Sequence, residues 1–250
     1  MRIGVIGACG RMGSAACDAL AADAELELVA AVAPGHAGAQ AAGVEVSESL
    51  DALRDADVEV AVELTRTEPA RQNLLWCAEA GIHVVSGTSG FTDADVDIFR
   101  AAFTQSNCLI AANFAIGAVL MMRFAELSAP WFDTAEIVEL HHDAKRDAPS
   151  GTAMATASRM AAASSEWAAD PTERLVLDGA RGGEGPEGIR IHSVRLRGMV
   201  AHQEVLLGAT GQSLTIRHDS YDRSSFMPGI LLAVKQVAAH PGITLGLDSL

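Results

Sequence analysis

The stretch Glu139-Leu140-His141-His142-Asp143-Ala144-Lys145-Arg146-Asp147-Ala148-Pro149-Ser150-Gly151-Thr152-Ala153 gathers two imidazoles, an amine and a helix start. Hydride delivery to a conjugated imine builds negative charge on the far atom, and a general acid must protonate it. Imidazole and amine side chains are the usual donors near neutral pH. His141 and Lys145 stand four apart, which predicts a shared face in an extended or a helical chain. His142 points elsewhere in an extended chain and is assigned to holding a ligand. Pro149 sets the approach to a helix whose predicted N-cap is Ser150. The amides of Ser150, Gly151 and Thr152, with the Thr152 hydroxyl, then form a cradle for a carboxylate. Taken singly, these residues have plain structural explanations: a histidine serving as a partly buried hydrogen-bonder, a lysine as a solvated charge. Their arrival in one stretch favours a site for a small carboxylate substrate. No third histidine, cysteine or carboxylate stands at ligand spacing, so no metal is expected.

A second cluster lies at the start of the chain. Gly7-Ala8-Cys9-Gly10-Arg11-Met12-Gly13 follows an apolar run and opens a helical pattern. Glycines there allow a tight turn, backbone approach to a pyrophosphate and close helix–strand packing. The helix N-terminus adds free amides and partial positive charge. The spacing is GxxGxxG where dinucleotide folds more often show GxGxxG, and a purely structural turn is the competing explanation. An acid about 20 residues on, at the end of the second strand, marks NAD sites. That end reads Ala30-Ala31-Val32-Ala33-Pro34-Gly35-His36, with no acid. A 2′-phosphate is then not repelled there, and Arg11 or His36 can pair with it. The balance tilts slightly to NADPH and leaves NADH open. Gly87-Thr88-Ser89-Gly90 and Ala111-Ala112-Asn113-Phe114 follow later strands and are expected to line the same edge.

The elements that must position these groups fall into two parts. Up to about residue 110, β-branched runs at Ile3–Ile6, Leu28–Val32, Val58–Val62, His83–Ser86 and Cys108–Ala111 alternate with helical patterns at Arg11–Ala22, Pro69–Ala80 and Ala94–Gln105. That alternation predicts βαβ units and a parallel sheet. Thr92 with Asp95 three residues on predicts the start of the third helix. Further along come Ile137–His141, an alanine-rich helix at Thr152–Ser164, a polar glycine loop at Asp178–Gly188, and strands at Ile189–Arg197, Gln203–Ala209 and Ser213–His218. A Thr210-Gly211-Gln212 turn joins the last two, which reads as antiparallel sheet. Pro228–Ala239 closes as an apolar helix. The expected fold class is therefore α/β: a Rossmann-type parallel sheet domain over 1–112 and 226–250, with a second α+β domain over 113–225 carrying a mainly antiparallel sheet.

Composition sets the outer bounds. The chain has 250 residues, 49% of them hydrophobic, with 18 Lys and Arg against 32 Asp and Glu, a formal charge of −14. Such an acidic surface disfavours nucleic acid as a partner, and an anion site must be built locally against the overall field. No apolar run reaches the ~20 residues needed to span a bilayer. Met1–Gly7 meets glycine too early for a secretory signal. Cys9, Cys17, Cys77 and Cys108 show no CxxC or metal spacing, which favours reduced packing thiols in a cytoplasmic protein.

The run HHDAKRDAPSGTA resembles the signature of the dihydrodipicolinate reductase family, in which adjacent histidines, a lysine and a DAPSGTA stretch form the substrate site. GACGRMG, GTSG and AANF are similar to that family's cofactor segments. His192-Ser193-Val194-Arg195, His202-Gln203-Glu204-Val205, His218-Asp219-Ser220 and Arg223-Ser224-Ser225-Phe226 extend the likeness over nearly the whole chain. The resemblance implies His141 as the principal acid/base group, Lys145 as a proton donor, and His142, Ser150, Gly151 and Thr152 as substrate ligands. It implies Gly7, Ala8, Cys9, Gly10, Arg11, Met12, Gly87, Thr88, Ser89, Ala111, Ala112, Asn113 and Phe114 at an NADPH or NADH site. It further implies reduction of 4-hydroxy-tetrahydrodipicolinate, a small cyclic dicarboxylate, with loss of water in diaminopimelate and lysine biosynthesis, by a homotetramer built through the second domain's sheet. Two places depart from the pattern: Ala33-Pro34, where the family often has charged residues, and Glu63-Leu64-Thr65, where it usually has Asp-Phe-Thr. The competing functions are a two-domain oxidoreductase for another amino or keto acid, separable by substrate panel, and a non-catalytic nucleotide sensor. A sensor has no use for the proton donors.

Overall fold

Ile3 to Ile6 are all buried within the first strand, β1 (Arg2–Ile6). Strands that read as apolar runs without alternation belong to parallel sheets covered on both faces. The computed structural model describes residues 1–250, and they divide into two compact units, Met1–Ala115 with Arg223–Leu250, and Ile116–Asp222.

In chain order the first unit contributes β1, α1 (Arg11–Ala22), β2 (Glu27–Val32), β3 (Gln40–Ala41), β4 (Val44–Ser47), α2 (Asp51–Asp55), β5 (Val60–Glu63), α3 (Thr67–Glu79), β6 (His83–Ser86), α4 (Asp93–Ala102) and β7 (Cys108–Ile110). The second unit contributes α5 (Ile116–Ser128), β8 (Thr134–His141), α6 (Gly151–Ala163), β9 (Gly183–Glu184), β10 (Arg190–Arg195), β11 (Ala201–Ala209) and β12 (Gln212–Ser220). The chain then returns to the first unit with α7 (Met227–Gln236) and β13 (Ile243–Leu245).

The first sheet runs β13-β7-β6-β5-β1-β2-β4-β3, parallel except for the β3/β4 pair. The chain lays β2 to one side of β1 and β5 to the other, so the carboxyl ends of β1 and β5 flank the crevice where such sheets bind ligands. Helix α1 buries Gly13, Ala16, Cys17 and Leu20, a single stripe at helical spacing. Helix α4 opens on Thr92 as its N-cap, as expected, and Asp95 closes a capping box with it. Each fully buried large side chain, such as Leu20, Leu74 or Phe99, contributes about 1.5–3 kcal/mol through burial.

The second sheet runs β12-β11-β8-β10-β9. Alternation along β8 puts Ile137, Glu139 and His141 on one face, where Ile137 and Glu139 are fully buried. Register places Ile191, Ser193 and Arg195 of β10 beside them, and Gln203 and Val205 of β11 on the other flank.

One sequence expectation changes, and several elements had no counterpart in the sequence reading. All strands after the glycine loop read as antiparallel, yet β10 pairs parallel with β8, while β11 runs antiparallel to both β12 and β8. Hydrophobic alternation carries no direction, and the long passage through α6 brings the chain back to run alongside β8. Helix α5 had no counterpart, because Ile116 to Met122 is apolar at almost every position and shows no clear 3.6-residue period. The short pieces β3, β4, α2 and β13 also went unread, each too brief for a periodic signal.

Candidate active site

In the first unit, the loop after β1 is shaped by contacts that only glycine permits. Gly7 has φ +88, and a Cβ on Gly13 would lie 2.0 Å from the Gly7 carbonyl oxygen. Helix α1 therefore starts hard against the loop. Its N-cap, Gly10, brings no side chain to the first turn, and no acid stands there. The first intrahelical bond runs from the Ser14 amide to the Gly10 carbonyl at 2.8 Å, which leaves the amides of Arg11, Met12 and Gly13 directed outward. A cavity of about 790 Å³ opens there, lined by this loop, the ends of β1 and β2, and Leu64 to Arg66. Its size lies within the ~300–1,000 Å³ usual for ligand sites. Open amides and a glycine-tight approach suit a pyrophosphate-bearing nucleotide.

Of the residues expected there, Gly7, Cys9, Gly10, Arg11 and Met12 line the cavity, while Ala8 is buried behind it. Gly87, Thr88 and Ser89 follow β6, and Ala111 to Phe114 follow β7. They continue the same edge outside the cavity: a Gly87 Cβ would meet Leu64 and Phe114, and the Thr67 hydroxyl donates to the Ser89 carbonyl at 2.8 Å. Glu63 explains its own departure from the family pattern. It is fully buried and accepts from the Thr65 amide and hydroxyl, the Thr88 hydroxyl at 2.7 Å, the Ser86 hydroxyl at 3.2 Å and Asn73 at 3.4 Å. It braces the loops after β5 and β6. Sequence reading gave no role to Glu48, Leu50, Leu64, Thr65, Arg66, Pro69 or Asn73 in this cavity. For Glu48, Leu50, Leu64, Thr65 and Arg66 the available signal was a place just after a strand end; Pro69 and Asn73 lie within α3 and gave none.

In the second unit, β8 ends on His141, whose ring is largely buried. His141 Nδ1 meets the carboxylate of Glu139. A carboxylate only accepts, so Nδ1 carries the hydrogen and Nε2 is the ring nitrogen left for chemistry. Arg195 grips Glu139 with both terminal nitrogens, at 2.8 and 2.9 Å, and also donates to the Asp147 carbonyl at 2.7 Å. The Ser150 amide donates to Glu139 at 3.2 Å. Burial pushes the Glu139 carboxyl up, but bonds from Arg195, Ser193 and His141 outweigh it and leave it below the ordinary glutamate value. His141 moves down: burial disfavours its charged form, Glu139 opposes that, and the charges of Lys145 and Arg195 push it further down.

Lys145 reaches the site through a turn, its amide donating to the His142 carbonyl at 3.1 Å. The chain there is neither extended nor helical, so the four-residue spacing was not what brought Lys145 near His141. Its ammonium lies 2.9 Å from Asp147 and holds that carboxyl below its ordinary value. His142 is exposed. Ser150 is the N-cap of α6 and its hydroxyl accepts from the Ala153 amide at 3.2 Å. Its own amide turns to Glu139, and the first-turn amides of Gly151 and Thr152 follow it at the start of α6. A Cβ on Gly151 would meet nothing within 4 Å, so the approach to that turn is open. Sequence alone assigns no role to Glu139 or Arg195. The signal for Glu139 was a carboxylate two positions before a histidine on one strand face.

Residues 1–114 match the family profile "Dihydrodipicolinate reductase, N-terminus", and residues 117–250 match "Dihydrodipicolinate reductase, C-terminus". The chain is 47% identical to the 4-hydroxy-tetrahydrodipicolinate reductase of Streptomyces coelicolor, covering 99% of this chain and 96% of the relative. It is 48% identical to that of Nocardia farcinica, covering 99% and 97%. A dipicolinate-bound dihydrodipicolinate reductase from a Paenisporosarcina species superposes with a TM-score of 0.88 at 38% identity, covering 100% of this chain and 99% of the other.

Proposed function

The chain belongs to the dihydrodipicolinate reductase family, and from that premise we propose that it reduces 4-hydroxy-tetrahydrodipicolinate to tetrahydrodipicolinate with NAD(P)H, in diaminopimelate and lysine biosynthesis. The observation that carries this is His141, tied at Nδ1 to a buried Glu139–Arg195 pair and left with Nε2 for substrate. A bound dihydronicotinamide supplies hydride to C4 of the dehydrated ring. The protein's part is to hold the dicarboxylate and deliver a proton to the carbon where negative charge gathers. His141 is the principal proton donor and Lys145 the second. His142 and the open first turn of α6, through Gly151 and Thr152, hold the carboxylates. The two negative charges of the substrate favour the imidazolium that burial disfavours in the free protein, so His141 takes up its proton as the ligand arrives.

Gly7 to Met12 hold the pyrophosphate and neighbouring groups, with Gly87 to Ser89 and Ala111 to Phe114 further along the same edge. Both nucleotides serve, and Arg11 gives NADPH a modest advantage. The subunits assemble as a homotetramer through the open face of the second sheet, supported by its partly exposed apolar residues such as Val138, Leu140 and Leu206. The four cysteines are free thiols, in keeping with a cytoplasmic enzyme. No helix is long and apolar enough to cross a membrane.

The test follows absorbance of reduced nicotinamide with NADPH and NADH in parallel, the substrate made fresh by a coupled aldolase from pyruvate and aspartate semialdehyde. Substrate-dependent loss of absorbance is expected with both. No loss with either, from folded protein that still binds one of them, would overturn the reading.

A further inference from the structure

The end of β2 lacks the acid that marks an NAD site, but the neighbouring strand brings one to the same place. Strand β4 lies parallel to β2, with Ala31 beside Val46 and Val32 beside Ser47. The ladder extends one step further, the Ala33 amide donating to the Ser47 carbonyl at 2.9 Å. Glu48 therefore leaves the sheet next to Ala33-Pro34. Its side chain turns toward that position, and Oε1 accepts from the Gly35 amide at 2.8 Å. Glu48, Ala33, Pro34, His36 and Arg11 line one cavity with the glycine loop.

Two of these groups carry opposite charge. Arg11 stands exposed in the first turn of α1, with no ion-pair partner. Glu48 is exposed but oriented, one oxygen fixed by the backbone and the other open. The His36 ring is held through Nδ1, 3.0 Å from the Pro34 carbonyl; Arg66, after β5, is a third charged residue lining the cavity, while Glu48 and Arg11 come from the two segments that adjoin the end of β2.

We infer that Glu48 is a specificity-determining residue for the nucleotide. Its carboxylate accepts a hydrogen bond from the adenosine ribose when the 2′-hydroxyl is free, and repels a 2′-phosphate. It thereby replaces, from β4, the acid missing from β2, and opposes Arg11. This rests on the nucleotide reading above. Use of both cofactors follows from the opposition: an anion-attracting residue and an anion-repelling one face the same substituent.

The test is direct binding of NADH and NADPH, followed by the fluorescence of the reduced nicotinamide, with 5′-AMP and 2′,5′-ADP as competitors. The proteins are wild type, Glu48→Gln and Arg11→Ala. Glutamine can still accept from the Gly35 amide, so Glu48→Gln removes the charge and keeps the anchor; a thermal melt checks the fold. The ratio of dissociation constants in Glu48→Gln should move toward NADPH by about tenfold, the scale of a hydrogen bond to a charged group. Arg11→Ala should move it toward NADH, and the two competitors should follow the same order. Binding of both nucleotides with an unmoved ratio in Glu48→Gln would overturn the assignment alone. Failure of the wild type to bind either would overturn the nucleotide reading as well.

Discussion

The first unit offers a ligand mostly backbone: amides at the start of α1, a turn at Gly7, a wall set by Gly13. The second unit offers ionisable side chains held by other side chains, with His141 fixed by Glu139 and Glu139 fixed by Arg195 and the Ser150 amide. The two materials fail in different ways. A backbone site tolerates changes of side-chain chemistry but not one added carbon where the chain approaches itself. A side-chain site tolerates volume changes at its rim but not the loss of a charge from its buried network, because the remaining charge is left without compensation.

The largest expected effect tests the second unit. His141→Gln or Lys145→Ala should lower turnover by ~100-fold or more, the scale of lost general-acid help, while nucleotide affinity stays at the wild-type value. Steady-state rates beside nucleotide titrations check this, and wild-type-like turnover in both variants would remove these residues from the mechanism. Next, Gly13→Ala should break the first unit in the complementary way. Its Cβ cannot sit 2.0 Å from the Gly7 carbonyl, so the loop must shift. Nucleotide affinity should fall by more than about tenfold and stability by about 1–3 kcal/mol, read by titration and chemical denaturation. Binding of a dicarboxylate such as dipicolinate by this variant should be retained. Loss of both ligands would show that the two materials are not independent.

The smallest effect sharpens the comparison. His141 must be protonated to donate, and its pKa in the free protein lies below the ordinary histidine value. The kcat/KM profile should therefore fall as pH rises through a point below the ordinary ~6.5. The kcat profile reports the substrate complex, and its fall should come at higher pH. Glu139→Gln removes the anion that favours the imidazolium, so the kcat/KM limb should move further toward acid. An unmoved limb would mean that Glu139 only holds the strand in place.

The parallel sheet was legible because β1, β5 and β6 must be apolar on both faces, and α1 carries its buried stripe and α4 its cap locally. The His141 stretch and the glycine loop were legible for the same reason: each is a short run of chain whose residue types already suit its chemistry. Glu63 shows where that stops. Its sequence neighbours say nothing of Thr88 and Ser86, which meet it only because β5 and β6 are adjacent in the sheet.

The sequence by itself determined the two clusters, the change from βαβ alternation to hairpin strands, and the cap of α6, since all of these depend on residues within a few positions of one another. Tertiary structure alone decided the direction of β10, the clamp of Arg195 on Glu139, the turn that brings Lys145 to His141, and the arrival of Glu48 beside Ala33-Pro34. The direction of β10, the clamp and the place of Glu48 depend on strand order and register, which arise when distant apolar faces are buried together; the turn at His142 to Lys145 is local and matters because β8 ends just before it. An alternating pattern says which residues face inward, but it does not say which strand will lie alongside.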